Sequence, residues 1–220
     1  MYDKKYLARN YNSQPVNKLS QYSVIGLEID NILKFYNRTH LNICELGCGD
    51  GRQLRSVAKA YPNIKFTGID FLVRPSTNDN MNLVKGNLLD KLHELFEDGS
   101  IHLVYGIDIL EHLTCDELFV LAKILKEKMA KGGTFLARVP NLDSKAGQEN
   151  QFGDITHKTA FNRHSAKQFM DVLDLANQEI FADNNLVKIF YRHRLKKLAN
   201  ITTKIFTKHS PNIYLRGFSA

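Results

Sequence analysis

The stretch NICELGCGDGR, residues 42–52, decides the fold, because three alternating glycines separate an apolar run from a helical pattern. Only glycine lets the backbone turn this sharply and approach a ligand without a Cβ atom in between. The helix after the turn points its unpaired amide groups toward that ligand. Asp70 ends the next apolar run, where a carboxylate can accept both hydroxyl groups of a ribose. A glycine turn followed by such an acid is typical of a nucleotide-cofactor site in a doubly wound α/β sheet.

Short apolar runs alternate with helical patterns from residue 41 onward, which predicts successive βα units and a largely parallel sheet. Strands are predicted at 41–46, 64–69, 81–85, 101–106 and 133–139, followed by two closing strands at 179–182 and 213–219. Helices are predicted at 27–35, 53–60, 113–129 and 162–176. Thr114 and Glu117 have the spacing of a capping box, and Asn162 or Ser165 is expected to cap the later helix.

The composition predicts one globular domain, since 43% of the 220 residues are hydrophobic and 24% are charged. No apolar run approaches the roughly 18 residues of a membrane span, and the N-terminus has no apolar segment typical of a secretory signal. Three scattered cysteines indicate reduced thiols in a cytoplasmic protein. We expect residues 1–40 to form an N-terminal helical cap or lid, and 41–220 to form the main domain.

The net charge of +7 belongs to one segment of the chain. Residues 184–220 hold eight Lys and Arg and no acid, whereas the preceding 183 residues carry 22 basic and 23 acidic side chains. Most of this charge lies in an insertion at 186–210, whose apolar side chains recur at helical spacing. Such a basic amphipathic helix favours an anionic membrane surface, although a helix that packs on the sheet and exposes its charges fits the same pattern.

The motif E-L-G-C-G-D-G at 45–51 resembles the first motif of class I S-adenosylmethionine (SAM) methyltransferases, and its spacing differs from the dinucleotide fingerprint G-x-G-x-x-G. The resemblance covers nearly the whole chain. It implies a Rossmann-like sheet of seven strands with an antiparallel last strand, helices on both faces, and SAM as cofactor. The cofactor-binding residues that it implies are Glu45, Gly47, Gly49, Gly51, Asp70, Asn87, Leu88, Ile107 and Asp108. Asn87 departs from the family, which commonly has Asp there.

The segment D-I-L-E-H-L at 108–113 resembles the D-x-L-E-H-L signature of quinone-ring and glycan O-methyltransferases. It follows the fourth predicted strand, and loops at the carboxyl ends of parallel strands face the ligand crevice. His112 is therefore a candidate general base, because imidazole titrates near neutral pH. An equally open interpretation is that Glu111 and His112 orient this loop and cap the following helix.

A long polar stretch, predicted as an irregular loop, includes residues 148–161. It resembles the G-D-x-T-H-x-x-x-F segment of methyltransferases from surface-glycan gene clusters. His157 is the first candidate for the general base, and Asp154 would orient that imidazole or bind a sugar hydroxyl. A His157 that only anchors the loop to the backbone is the competing interpretation. No metal site is predicted.

The resemblance implies SAM-dependent methylation of a saccharide or glycolipid precursor at the cytoplasmic side of a membrane, with residues 187–208 as a peripheral membrane contact. The alternative acceptor class is a quinone or another small molecule. An RNA methyltransferase and a noncatalytic SAM-binding scaffold remain further hypotheses, but the sequence has no aromatic platform or RNA-binding motif that would favour a nucleic-acid partner.

Overall fold

The computed structural model of the chain describes residues 18–37, 40–183 and 210–220. The predicted membrane contact at 187–208 and residues 1–17 of the predicted N-terminal cap or lid lie outside these residues. In the described ranges, no helix is long and apolar enough to cross a bilayer.

Eight strands form one sheet in the described residues, in the spatial order β3-β4-β2-β1-β5-β6-β8-β7. The strands are β1 (Asn42–Leu46), β2 (Lys65–Asp70), β3 (Ser76–Thr77), β4 (Met81–Lys85), β5 (Ile101–Ile107), β6 (Met129–Pro140), β7 (Leu175–Ala182) and β8 (Asn212–Ser219). The five strands β4, β2, β1, β5 and β6 are parallel to one another. The last strand, β8, is antiparallel to both β6 and β7, which confirms the predicted orientation.

Helices cover both faces of this sheet, as predicted. They are α1 (Lys18–Tyr36), α2 (Arg52–Ala60), α3 (Leu88–Leu95), α4 (Cys115–Lys128), α5 (Lys145–Gly153) and α6 (Arg163–Val172). Because successive side chains of a strand point to opposite faces, β5 contributes Val104 to one apolar core and Tyr105 to the other. Helices α1 and α2 pack in the core of Tyr105, whereas α3, α4 and α6 pack in the core of Val104.

Several details differ from the sequence-based expectation. Helix α6 ends at Val172 and β7 begins at Leu175, whereas the helix is predicted to reach 176 and the strand to begin at 179. The sheet has eight strands rather than seven, because the short β3 pairs antiparallel with β4 through Asn82 and Leu83. Residues Lys145–Gly153 form helix α5 within the stretch that was predicted as a loop, and Ser144 caps this helix by accepting from the Gly147 N–H. Strand β6 begins at Met129, directly after α4, because Met129 pairs with the first residue of β5.

The strand order reverses direction between β1 and β5. From β1 the chain moves outward to β2 and β4, and then returns to place β5 on the other side of β1. The helices that leave these two strands therefore cover opposite faces, which opens a crevice at their carboxyl ends. The glycine turn after Leu46 and the segment after Ile107 both face this crevice.

A buried ion pair fixes α1 to the far end of the chain. The Arg216 guanidinium on β8 contacts both carboxylate oxygens of Glu28 on α1, with an Nε–Oε1 distance of 2.8 Å and an Nη2–Oε2 distance of 2.9 Å. Glu179 on β7 accepts a further hydrogen bond of 2.9 Å from Arg216. The pair thus joins residues that are 188 positions apart, and it places α1 across the sheet.

Candidate functional site

The three glycines of the turn have different tasks. A Cβ atom on Gly47 would meet the Ile109 side chain at 2.6 Å, and one on Gly51 would meet Leu83 at 2.6 Å, so both positions are closed by packing. Gly49 has a φ of +57°, and a Cβ atom there would meet nothing within 4 Å. Because its α-carbon borders open space, Gly49 is the position where a bound molecule can approach the backbone.

Asp70, at the end of β2, holds the glycine turn in place. One carboxylate oxygen accepts from the Gly49 N–H at 2.9 Å, and the other accepts from the Leu72 N–H at 2.7 Å. Burial raises the pKa of Asp70, although these two amide donors pull it down. A carboxylate oxygen has two lone pairs, so Asp70 can also accept from the two hydroxyl groups of a ribose.

Glu45 lies beneath the turn, on β1, opposite Tyr105 of β5. It is only 3% exposed, and burial raises the pKa of its carboxyl group to about 8. In the described part of the chain, no donor reaches Glu45 Oε2 itself, although the Tyr105 hydroxyl beside the carboxyl group partly offsets the effect of burial on its pKa. A buried polar atom without a partner costs free energy, which favours a ligand donor at this position.

Asn87 begins helix α3 as its N-cap. Its side-chain oxygen accepts from the backbone N–H groups of Leu89, at 2.8 Å, and Asp90. The cap therefore uses the oxygen and leaves the amide Nδ2 to serve a ligand, as a donor. Leu88, the first residue of α3, is buried in the core, and its side chain helps to anchor this helix start.

Asp108 has a left-handed φ of +54° directly after Ile107 at the end of β5. Both of its carboxylate oxygens accept from the Arg138 guanidinium, which also donates to Asp183 at 3.1 Å. Asp108 thus joins a partly buried ion-pair network that fixes the end of β5. The side chain of the next residue, Ile109, fills the space beside Gly47.

The imidazole of His112 is held in one tautomer. The Thr156 hydroxyl donates its hydrogen to Asp154 Oδ1 at 2.6 Å, so it can only accept from His112 Nδ1 at 3.0 Å. Nδ1 therefore carries the hydrogen, and Nε2 carries the ring's lone pair. Burial, and then the neighbouring His157, lower the pKa of His112, so the ring is neutral at pH 7. Asp154 orients His112 through Thr156.

His157 lies against His112, with the two ring centroids 4.6 Å apart and the ring planes at 71°. Its Nδ1 lies 2.9 Å from the Gln151 carbonyl oxygen. A carbonyl can only accept, so Nδ1 of His157 also carries a hydrogen, and Nε2 carries the lone pair. Asp154 Oδ2 is 4.0 Å from that Nε2, which is too far for a direct hydrogen bond.

Main-chain hydrogen bonds bring the two histidines together. The Glu111 carbonyl accepts from the backbone N–H groups of Lys158, at 2.7 Å, and Thr159, at 3.0 Å. The Thr159 hydroxyl donates to the Leu113 carbonyl at 2.6 Å. The segment after α5 is therefore docked on the short 3-10 turn Leu110–His112 that follows β5.

Two residues of this arrangement were not predicted as site residues. Glu111 is fully buried, and Thr156 connects His112 to Asp154. Both residues lie within motifs that the sequence shows: Glu111 in the E-H pair and Thr156 in the D-x-T-H order of residues 154–157. Their roles depend on contacts across 44 positions of the chain, which the spacing does not encode.

The family model described as a methyltransferase domain matches residues 20–199. The chain belongs to this family. The turn at 45–51, Asp70 and the histidine pair all lie within the matched range. No curated protein matches the methyltransferase-domain chain.

Solved structures that resemble this methyltransferase-domain protein have low sequence identity to it. A SAM-dependent methyltransferase from Archaeoglobus fulgidus is 18% identical, with a TM-score of 0.63 over 98% of this chain and 100% of the other. A phosphoethanolamine N-methyltransferase 2 from Haemonchus contortus, in complex with S-adenosylhomocysteine, is 10% identical, with a TM-score of 0.60 over 100% of this chain and 61% of the other. The geranyl diphosphate C-methyltransferase of Streptomyces coelicolor is 11% identical, with a TM-score of 0.58 over 96% and 89%. These similarities establish the shared fold and agree with the predicted cofactor.

Proposed function

We propose that this protein transfers the methyl group of SAM to a hydroxyl oxygen of a saccharide or glycolipid precursor. The observation that carries the proposal is the pair of imidazoles, His112 and His157, at the same crevice as the glycine turn. Ile109 connects the two regions, because it packs beside Gly47 and lies three residues before His112. Lone pairs that can receive a proton thus lie next to the site expected for the methyl donor.

The residues around the turn fit SAM. The open space at Gly49 admits the cofactor against the backbone, and Asp70 has lone pairs for the ribose hydroxyls. The unpartnered Glu45 Oε2 suits the ammonium group of the methionine portion. The Nδ2 group of Asn87 suits an acceptor nitrogen of adenine, whereas the Asp common in the family would suit a donor.

The chemistry requires the acceptor hydroxyl to lose a proton as its oxygen attacks the methyl carbon in line with sulfur. The new O–C bond forms while the C–S bond breaks, and its electron pair returns to sulfur as S-adenosylhomocysteine leaves. In the proposed mechanism Nε2 of His157 receives the proton. The imidazole of His112 packs against His157, with the ring centroids 4.6 Å apart. Much of the rate enhancement would come from holding the two substrates at near-attack distance.

The acceptor class is supported by the surface beside the histidines. Asp154 offers a carboxylate for a sugar hydroxyl, while Phe152 and Ile155 expose 74% and 87% of their surfaces on either side of it. A polar group between two exposed apolar side chains suits a molecule that has a sugar and a lipid portion. We propose that the basic segment 187–208 assists by contacting anionic lipid.

A quinone-type O-methyltransferase is the second candidate. The same exposed Phe152 and Ile155 would pack against an apolar aromatic acceptor as well as against a lipid. An acceptor panel that contains hydroxylated quinones, free sugars and lipid-linked sugars separates the two candidates by the formation of S-adenosylhomocysteine.

Calorimetry with SAM and S-adenosylhomocysteine tests the cofactor, and release of S-adenosylhomocysteine with the acceptor panel tests the transfer. We expect His157→Asn to lower turnover by about a hundredfold or more while the Kd for SAM stays nearly constant. Asparagine keeps a donor for the Gln151 carbonyl but has no atom at the Nε2 position, so it separates chemistry from loop anchoring.

The matched control is His164→Asn at the exposed start of α6, which should leave turnover unchanged. Unaltered turnover in His157→Asn would place the proton acceptor elsewhere. If the protein binds neither SAM nor S-adenosylhomocysteine, the proposed function is wrong.

A further inference from the structure

The histidine pair has a third member, the buried carboxyl group of Glu111. One nitrogen of His112, one nitrogen of His157 and one oxygen of Glu111 all lie within 4.8 Å of one another. Two ligands that each lie about 2.1 Å from one metal ion are separated by roughly 3 to 4 Å. The three atoms therefore lie close to the spacing that ligands of a common ion require.

The two imidazoles are oriented in the way that metal-binding histidines are. Each Nδ1–H is engaged, that of His112 with the Thr156 hydroxyl and that of His157 with the Gln151 carbonyl. This leaves Nε2 of each ring as the atom with a lone pair. A metal-binding histidine almost always donates its other ring N–H to a backbone carbonyl or a polar side chain, because this fixes the tautomer and the ring orientation.

Glu111 supplies the independent observation that points to a ligand. Its side chain is fully buried, and in the described ranges no other residue donates a hydrogen bond to either carboxylate oxygen, so its own backbone N–H is the one donor that opposes the effect of burial on its pKa. The neighbouring Arg138 guanidinium instead donates to Asp108 and Asp183. A buried carboxylate without a hydrogen-bond donor from another residue carries a large desolvation cost, which a bound cation would offset.

We propose that Glu111, His112 and His157 bind one divalent transition-metal ion, of the class that includes Mn²⁺, Fe²⁺ and Zn²⁺. Two imidazoles and one carboxylate suit these ions better than Mg²⁺ or Ca²⁺, which prefer oxygen ligands alone. Asp108 is left out of the ligand set because the positively charged Arg138 guanidinium lies against both of its oxygens and would repel a cation there. The proposal departs from the sequence-based expectation of no metal.

The consequence for catalysis rests on the proposed function, whereas the binding of the ion does not. Nε2 cannot hold a proton and a metal ion together, so with the ion bound His157 is a ligand, and the proton transfer to its Nε2 proposed above is replaced. The ion would orient the acceptor hydroxyl and lower its pKa, and the proton would pass to water. Methyl transfer from SAM is otherwise as described above.

The test measures metal binding directly on the full-length protein without an affinity tag. The protein is stripped with a chelator and then equilibrated by dialysis with Mn²⁺ or Zn²⁺ alone, and bound metal is counted by elemental analysis. We expect about one ion per chain, with a loss of affinity of about tenfold or more in Glu111→Gln, His112→Asn and His157→Asn. Mn²⁺ should also show an altered electron paramagnetic resonance signal in the wild type alone.

Two controls keep the result interpretable. His164→Asn removes an exposed imidazole and should bind metal as the wild type does. Calorimetry with SAM on every variant reports whether the fold and the cofactor site are intact. Wild-type protein that binds no ion, or Glu111→Gln that binds as tightly as the wild type, overturns the metal proposal. If the protein binds no metal but the stripped protein still binds SAM, only the metal proposal is wrong. If the protein binds metal but no SAM, only the proposed function is wrong.

Discussion

The three glycines of the turn at 47–51 are required for two different reasons, close packing at Gly47 and Gly51 and open space at Gly49. Gly47 and Gly51 are glycines because Ile109 and Leu83 occupy the places where their Cβ atoms would lie. Gly49 has neither neighbour, and its N–H is held by Asp70. At the scale of the residue, the proposed cofactor site therefore rests on the absence of a side chain at Gly49 and on the acid that fixes its backbone.

Gly49→Ala should weaken SAM binding by about tenfold or more, because the added methyl group projects into the space that the cofactor needs. Its cost to folding should be about 1 kcal/mol, the strain of an L-residue in the left-handed region. Gly99→Ala is the matched control, since Gly99 has a φ of +65° and also has nothing within 4 Å of its Cβ position. Equal loss of SAM affinity in both variants would contradict the assignment.

Glu45 should make the SAM-free protein less stable as the pH rises. Its pKa is about 8 in the folded protein and near its ordinary value of 4.5 in the unfolded chain, so between these values the folded state binds the extra proton. The free energy of unfolding therefore falls with pH in this window, by up to about 1.4 kcal/mol per pH unit. Glu45→Gln removes this contribution.

We expect thermal unfolding of Glu45→Gln, followed from pH 5 to pH 8, to decline less steeply with pH than that of the wild type. Glu94→Gln, which changes an exposed carboxylate, should follow the wild-type curve. Parallel curves for Glu45→Gln and the wild type would show that the Glu45 carboxyl ionises normally.

At the scale of elements, helix starts position the ligand groups. The caps of α3 and α6 have the same design, with an Asn side-chain oxygen that accepts from backbone N–H groups in the first turn. The cap of α3 lies at the carboxyl end of β4, on the cofactor side, whereas the cap of α6 follows the histidine segment. The same substitution therefore has different consequences at the two caps.

Asn87→Ala and Asn162→Ala should each lower the free energy of unfolding by about 1 kcal/mol, because each loses an N-cap. Only Asn87→Ala should also weaken SAM binding, since it removes the Nδ2 donor proposed for adenine. Denaturant unfolding and calorimetry on both variants check this. Unchanged SAM affinity in Asn87→Ala would separate Asn87 from the cofactor site.

At the scale of the whole molecule, buried charges join parts of the chain that are distant in sequence. Glu28 on α1 and Arg216 on β8 are both almost fully buried, and burial raises the pKa of Glu28 despite the opposing effect of Arg216. Removing Glu28 leaves the buried Arg216 guanidinium with less compensation, from the half-buried Glu179. This pair therefore makes the attachment of α1 sensitive to single substitutions.

Glu28→Ala should lower the free energy of unfolding by about 3 kcal/mol, as measured by denaturant titration. Lys167→Ala breaks an exposed ion pair with Asp171 and should change stability by less than about 0.5 kcal/mol. A loss in Glu28→Ala no larger than that in Lys167→Ala would mean that packing alone, and not the ion pair, holds α1 on the sheet.

The sequence by itself determined the alternation of strands and helices, the glycine turn and the family. Met81–Lys85 was predicted with its observed bounds, and the capping box of Thr114 and Glu117 is confirmed. These features depend on contacts within a few residues, so local spacing encodes them. Helix α5 was missed because its interior, with Gly147 and several polar residues, lacks an apolar period.

Only the tertiary structure decided which side chains share the acceptor side of the crevice. The docking of residues 158–159 on the Glu111 carbonyl places His157 against His112, and neither segment predicts the other. The hydrogen bonds to Thr156 and Gln151 set the tautomers of the two histidines. Arg138 donates to Asp108 and not to the Glu111 carboxyl group. Such contacts arise when a chain closes over some 45 positions, and their geometry depends on the packed sheet rather than on any local pattern.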